Sequence, residues 1–191
     1  MKGYNQLVTP MLSQEGNFCI TRECLHEMIA RGFMYTSSLI IDLPGSGTAG
    51  GITNLLFDLT GFVNPQKRIC LIPPAYSTSL GYIEVSYYVG GSYTKSVTPA
   101  DELYIYNRND TITTASEVSI SKNPTVTTPG LMFSQDTVGS AGSNQFPGGG
   151  SSPENNQLSL GATIQYIVQF KNTGTDAARL RYSVSWVENF I

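Results

Sequence analysis

Residues 82 to 89 alternate without a break. Ile83, Val85, Tyr87 and Val89 fall on one side, and Tyr82, Glu84, Ser86 and Tyr88 on the other. A period of two marks a β-strand with one face toward a core. The same period returns near the C-terminus. Ile164, Tyr166, Val168 and Phe170 share a side. So do Leu180, Tyr182, Val184 and Trp186, with Arg179, Arg181, Ser183 and Ser185 opposite. The polar stretch KNTGTDA joins these runs and predicts a hairpin. Each of its strands has one apolar and one polar face, as in an antiparallel sheet that faces water on one side. Trp186 lies on the apolar side and is read as core.

Other strand-like runs are MYTSSLIIDL (34–43), ITNLLFDLT (52–60) and KRICLIPP (67–74), the last closed by Pro73 and Pro74. For 52–60 a short helix stays open as the alternative. Gly90-Gly91 predicts a hairpin from 82–89 into SYTKSVT. ELYIYN and TITTASEVSIS flank the turn-forming Asn107-Arg108-Asn109-Asp110, and LMFSQDT adds a further strand. One helix is expected over 21–33. Thr21 caps it, Glu23 favours its positive end, Leu25, Met28 and Ile29 form one apolar face with Phe33 just beyond, and Gly32 stops it. Residues 1–20 read as an extended arm with a short strand at Gln6 to Thr9. Residues 138–156, rich in Gly, Ser, Pro and Asn, read as a long flexible loop. About eight to ten strands with one early helix predict an all-β fold. The architecture is an antiparallel two-sheet β-sandwich over 34–191, with a jelly roll as the preferred topology.

Composition narrows the function. Charged residues make up 13% of the 191, and the net charge is −3. The charged share is about half the usual one, and the few Lys and Arg are scattered. No footprint for nucleic acid exists. No run reaches the length of a membrane helix. The opening MKGYNQLVTPMLSQEGN lacks an apolar segment, so the expectation is synthesis in a cytosol without a signal peptide. Three cysteines do not make a disulfide framework.

Gly45, Gly47 and Gly50 have the spacing of a dinucleotide loop. That loop needs a helix starting inside it and an acid about 20 residues on. Here a strand-like run follows, and the next one ends in prolines. Gly51 stands where a phosphate loop of the Lys-bearing type requires lysine. The glycines are read as a connection between strands. Cys19, Cys24 and His26 are close in sequence, but Cys24 and His26 point about 200° apart on a helix. Buried thiols and a surface histidine are expected, with no metal. His26 is the only histidine and sits mid-helix, poorly placed for nucleophilic catalysis. The carboxylate pairs to consider are Asp101-Glu102 in a turn and Asp42 with Asp58, expected as neighbours across a hairpin. Neither is marked as shielded from water. No catalytic residue, cofactor or metal is assigned.

The eleven tyrosines suit sugar stacking or protein contacts when exposed. Tyr82, Tyr88 and Tyr93 are the candidates for a stacking face, and Phe146 is the large apolar residue of the long loop.

The polar arm, the neutral strands joined by Gly/Ser/Thr/Asn loops, and the closing run IQYIVQFKNTGTDAARLRYSVSWVEN together resemble a class of virion proteins. These are the small β-sandwich capsid-decorating, or cement, proteins of tailed bacteriophages. The resemblance covers residues 35 to 190 and leaves the helix unplaced. It implies a non-enzymatic protein of the virion, made in the host cytoplasm. It also implies binding to the major capsid protein or another virion protein, and a homo-oligomer with a trimer favoured. The alternative is a carbohydrate- or receptor-binding sandwich of a fibre or tail, with a glycan as ligand.

Overall fold

The computed structural model describes residues 22–45, 51–62, 64, 67–78, 82–139, 158–161 and 163–190. The arm 1–20, with Gln6 to Thr9, and Phe146 with most of the 138–156 loop lie outside them. The elements are α1 (Arg22–Ala30), β1 (Met34–Leu43), β2 (Ile52–Asp58), β3 (Arg68–Thr78), β4 (Ile83–Val89), β5 (Ser92–Thr94) and β6 (Tyr106–Asn107). They continue with β7 (Ser119–Lys122), β8 (Thr125–Thr128), β9 (Leu131–Val138), β10 (Leu158–Gly161), β11 (Gln165–Asn172) and β12 (Ala178–Phe190).

The protein is an all-β sandwich of two antiparallel sheets with one short helix. One sheet runs β10-β3-β12-β1-β6 and the other β7-β2-β11-β4-β9; a two-stranded piece, β5-β8, is separate. The core between the sheets holds most of the residues whose alternation marked them; Ile164 precedes β11 and is exposed. From β12 come Leu180, Tyr182, Val184 and Trp186; from β4 Ile83, Val85 and Tyr87; from β11 Tyr166, Val168 and Phe170. Leu55 and Phe57 of β2 join them, which makes 52–58 a strand and not a helix.

Strand pairing departs from the sequence expectation in one consistent way. Among the described residues, no two strands consecutive in the chain are hydrogen-bonded neighbours. The expected closing hairpin is absent: β11 pairs with β2 and β4, and β12 with β1 and β3. The turn between them crosses from one sheet to the other. Two half-apolar strands bury their faces equally well side by side or opposite each other across a core, so alternation did not decide between the two. Asn172 fixes the crossing. Its amide nitrogen donates to the carbonyls of Pro44 (2.9 Å) and Asp176 (2.8 Å), and its oxygen accepts from the Gly174 N–H (2.9 Å). Gly45 lies so close to the Thr175 carbonyl that a Cβ would sit 1.9 Å from its oxygen. The expected hairpin through Gly90-Gly91 is also corrected. β5 leaves β4 and pairs with β8 instead. Tyr93 and Val126 then cover Leu56, Ile167 and Tyr88 on the outer side of the second sheet.

β3 does not stop at Pro73 and Pro74. The pairing steps from Ile72↔Ser185 to Ala75↔Ser183, so a bulge absorbs both prolines, which have no N–H to give a ladder. ELYIYN contributes strand only at Tyr106–Asn107, and TITTASEVSIS only from Ser119.

The described helix runs Arg22–Ala30 and ends before Gly32; Thr21, expected as its cap, lies outside the described residues. Gly32 takes φ +75°, its N–H bonds to the Ile29 carbonyl, and the Phe33 N–H to that of Met28, both at 2.9 Å. This is the paired C-terminal closure that glycine favours. The amide of Asn109 donates to the Ala30 carbonyl (2.8 Å) and that of Asn107 to the Gly32 carbonyl (2.9 Å). The loop after β6 thus satisfies the helix end. Leu25, Met28, Ile29 and Phe33 pack on Met34, Cys70 and Val187, one end of the outer side of the first sheet.

Candidate interaction surfaces

Two polar groups are built into the interior, and neither was singled out from sequence. The first is Glu188. Alternation after Trp186 turns its carboxylate inward, where it is buried. It accepts hydrogen bonds from the Ser116 hydroxyl, the Glu117 N–H (3.1 Å) and the Trp186 indole N–H (2.9 Å). Tyr35 stacks on Trp186 beside it. Burial, then the charges of Glu188 and Glu117, push the Tyr35 hydroxyl up to about 12. No histidine adjoins Ser116 among these partners. The arrangement pins the 116–117 segment to β12, and the spacing Trp-x-Glu at the end of an inward-facing strand was the available signal.

The second is a tyrosine cluster spanning both sheets. The hydroxyls of Tyr76 and Tyr87 lie 2.7 Å apart. The ring of Tyr182 is 5.7 Å from that of Tyr76 and meets Phe170 edge-on at 5.0 Å. Its hydroxyl lies beside that of Tyr87 without closing a hydrogen bond of normal geometry. Burial is the main cause that raises Tyr87 to about 12, and it raises Tyr76 and Tyr182 as well. Three neutral phenols in a closed interior serve packing and register.

The carboxylates weighed for hydrolysis are not brought together. β1 and β2 lie in different sheets, so Asp42 and Asp58 do not face across a hairpin. Asp42 receives a two-pronged contact from Arg179 (2.6 and 3.1 Å), which holds its carboxyl below the ordinary value. Asp58 closes a local turn by accepting from Thr60. Asp101 accepts from Ser96 and Asn123, and Glu102 pairs with Lys95 at 2.7 Å. His26 is exposed on α1, and Cys70 is buried in the cluster against which Leu25, Met28 and Ile29 of the helix pack. Among the described residues, no group of three or more His, Cys, Asp or Glu converges on a common point. Of the glycine loop only Gly45 and Gly51 are described; Gly47 and Gly50 lie outside, and strands flank the loop on both sides.

The tyrosines chosen for a stacking face do not form one. Tyr93 is buried, 8% exposed, and its hydroxyl donates to the Pro129 carbonyl at 2.5 Å. Tyr88 is half-buried under it. Tyr82 is exposed but precedes β4, where Thr173 binds its carbonyl. The more exposed tyrosines among the described residues are elsewhere. Tyr104 (72% exposed) and Tyr106 (56%) meet edge-on at 4.3 Å along the β6 edge. The outer side of the first sheet beside them is neutral and hydroxyl-rich, with Thr36, Ser38, Ser183 and Ser185. β9 exposes Leu131, Met132 and Phe133 in succession.

No family model, curated protein or solved structure matches this chain.

Proposed function

We propose that this chain is a non-enzymatic structural protein of a virion, one that binds an assembled capsid and stabilises it. The strand order carries this reading. With the short β5 to β8 pieces set aside, the chain alternates between sheets from β1 to β4, stays in the second sheet for β9, and alternates again from β9 to β12. The two resulting four-stranded orders, β10-β3-β12-β1 and β2-β11-β4-β9, support a jelly roll, the double-sheet architecture that recurs in viral capsid and lectin domains. β11 and β12 occupy interior positions in the two sheets, each joining strands from earlier in the chain on both of its sides.

The surfaces suit contact. Neutral hydroxyl and amide side chains can dock without stripping water from many charges. A clamp acts by binding the assembled lattice more tightly than its free subunits, and the difference in binding is the stabilisation it confers. The partner is the major capsid protein or another virion protein, and the site of action is the particle. The test is co-sedimentation of the full chain with empty shells assembled from the cognate major capsid protein, against the same protein unassembled. Saturable binding to shells, with a raised temperature of shell disruption, is expected. Equal binding to free subunits, or none to shells, overturns it.

The exposed Tyr104–Tyr106 pair favours a second reading, a glycan-binding sandwich. Two pre-paired rings beside a hydroxyl-rich face can stack on a sugar with little loss of freedom. Saturable binding on a glycan array, lost in Tyr104→Ala, would place this reading ahead of the first.

A further inference from the structure

The geometry points to β9 as a self-pairing edge: we infer that two copies of this chain join through their β9 strands, antiparallel, about a two-fold axis at Gln135. This stands apart from the capsid reading, since it concerns only how the protein meets itself.

Exposed sheet edges carry unpaired N–H and C=O groups, and natural proteins guard them with brevity, charge, proline or cover. Among the described residues, three of the four edges of the two five-stranded sheets are short: β10 has four residues, β6 two and β7 four. The β7 edge is further engaged by a bridge between Ser121 and Glu102. β9 is different. It runs eight residues, LMFSQDTV, with no lysine and no proline, and its one charge is Asp136. Leu131 is 72% exposed, Met132 46% and Phe133 38%. Two guards are present, the charge of Asp136 and a bulge between the pairs Tyr87↔Ser134 and Tyr88↔Met132, where Phe133 is the extra residue.

The residues of β9 select the occupant. Ser134 and Asp136 lie opposite Tyr87 and Val85, on the core side; Gln135 and Thr137 lie opposite Ser86 and Glu84, on the outer side. Met132 pairs with Tyr88 on the outer side, and Leu131 and Val138 pair with Val89 and Ile83 on the core side. An axis at Gln135 sets the two Gln135 amides against each other and each Ser134 hydroxyl against a partner Asp136. Skipping the bulged Phe133 then brings Met132 to Thr137 and Leu131 to Val138, so outer meets outer and core side meets core side. An axis at Asp136 would oppose two carboxylates directly, which disfavours that register. In the chosen register the Asp136 carboxylates sit diagonally, about 7–8 Å apart between neighbouring positions. A two-fold contact also closes the β9 edges of both copies at once.

Sedimentation of the full chain over a concentration series tests this. The expected species is a dimer that dissociates on dilution. Gln135→Lys sets two ammonium groups against each other on the axis and is expected to weaken the dimer about tenfold. Asp136→Asn removes the diagonal repulsion and is expected to tighten it. Ser38→Lys, on the outer side of the other sheet, leaves it unchanged. Gln135→Cys is expected to give, on mild oxidation, a covalent dimer whose mass spectrum joins the two introduced thiols. A monomer at all concentrations, a trimer, or a dimer indifferent to Gln135→Lys overturns the inference. So does Gln135→Cys that folds but does not cross-link.

Discussion

Removing the Glu188 carboxylate is expected to be among the most damaging single changes in this protein. Its two oxygens serve three donors, Ser116 Oγ, the Glu117 N–H and Trp186 Nε1. Hydrogen bonds to a charged group each contribute about 1.5–3 kcal/mol, and an orphaned buried donor costs about 1–3 kcal/mol. The three do not simply add. The Ser116 hydroxyl can rotate to the Val118 carbonyl, 3.2 Å away, and the Glu117 N–H is in a part-buried bond. The Trp186 indole is fully buried and has no such escape. Glu188→Ala should therefore cost about 3–5 kcal/mol. At about 2–4 °C per kcal/mol for a chain of this size, that lowers Tm by roughly 6–20 °C. Glu188→Gln keeps the shape but turns an amide NH2 toward one of the donors, so a smaller loss of about 1–3 kcal/mol is expected. The assay is denaturant unfolding of the full chain at fixed protein concentration, with Ser116→Ala and the double variant completing a cycle. A loss below about 0.5 kcal/mol in Glu188→Ala, or equal losses for Ala and Gln, would refute the view that these hydrogen bonds hold the 116–117 segment.

Alkaline pH should unfold the protein. Tyr35 and Tyr87 are raised to about 12, and Tyr76 and Tyr182 are also raised. In an unfolded chain they ionise near 10, so stability is full below that and falls as pH climbs toward 12; ultraviolet titration should show these phenols ionising only with loss of structure. Asn172→Ala should cost about 2–3 kcal/mol, because one amide satisfies carbonyls from two strand connections. Hydrogen exchange should quicken first around residues 173–177. Tyr93→Ala should cost about 3–5 kcal/mol by emptying the seat of β5–β8 over Leu56 and Ile167. Tyr93→Phe should cost about 1 kcal/mol through the lost bond to Pro129; equal losses in thermal melts would sink this distinction.

The interior tyrosines show how far the sequence reached toward the site. Alternation placed Tyr87 and Tyr182 on apolar faces, but it could not bring them to each other or to Tyr76, because those three come from strands whose partners lie far along the chain. Tyr93 was misjudged for the same reason. Its own strand is three residues long, and what buries it is β8 and the outer side of β2 and β11. Glu188 was legible as an acid on an inward-facing position, yet its donors at 116 and 117 belong to a loop with no periodicity to read.

By itself, the sequence determined what each segment is: a short helix closed at Gly32, and strands with one wet and one dry face. It did so because side-chain period is a local property, set by backbone geometry over a few residues. Only the tertiary structure decided which strands touch. Hydrogen-bond ladders join any two strands equally well, and burial of an apolar face rewards a neighbour across the core as much as one beside it. The choice therefore fell to the crossings at Asn172 and Gly45 and to the bulge at Pro73 and Pro74, where backbone and side chains from distant parts of the chain meet.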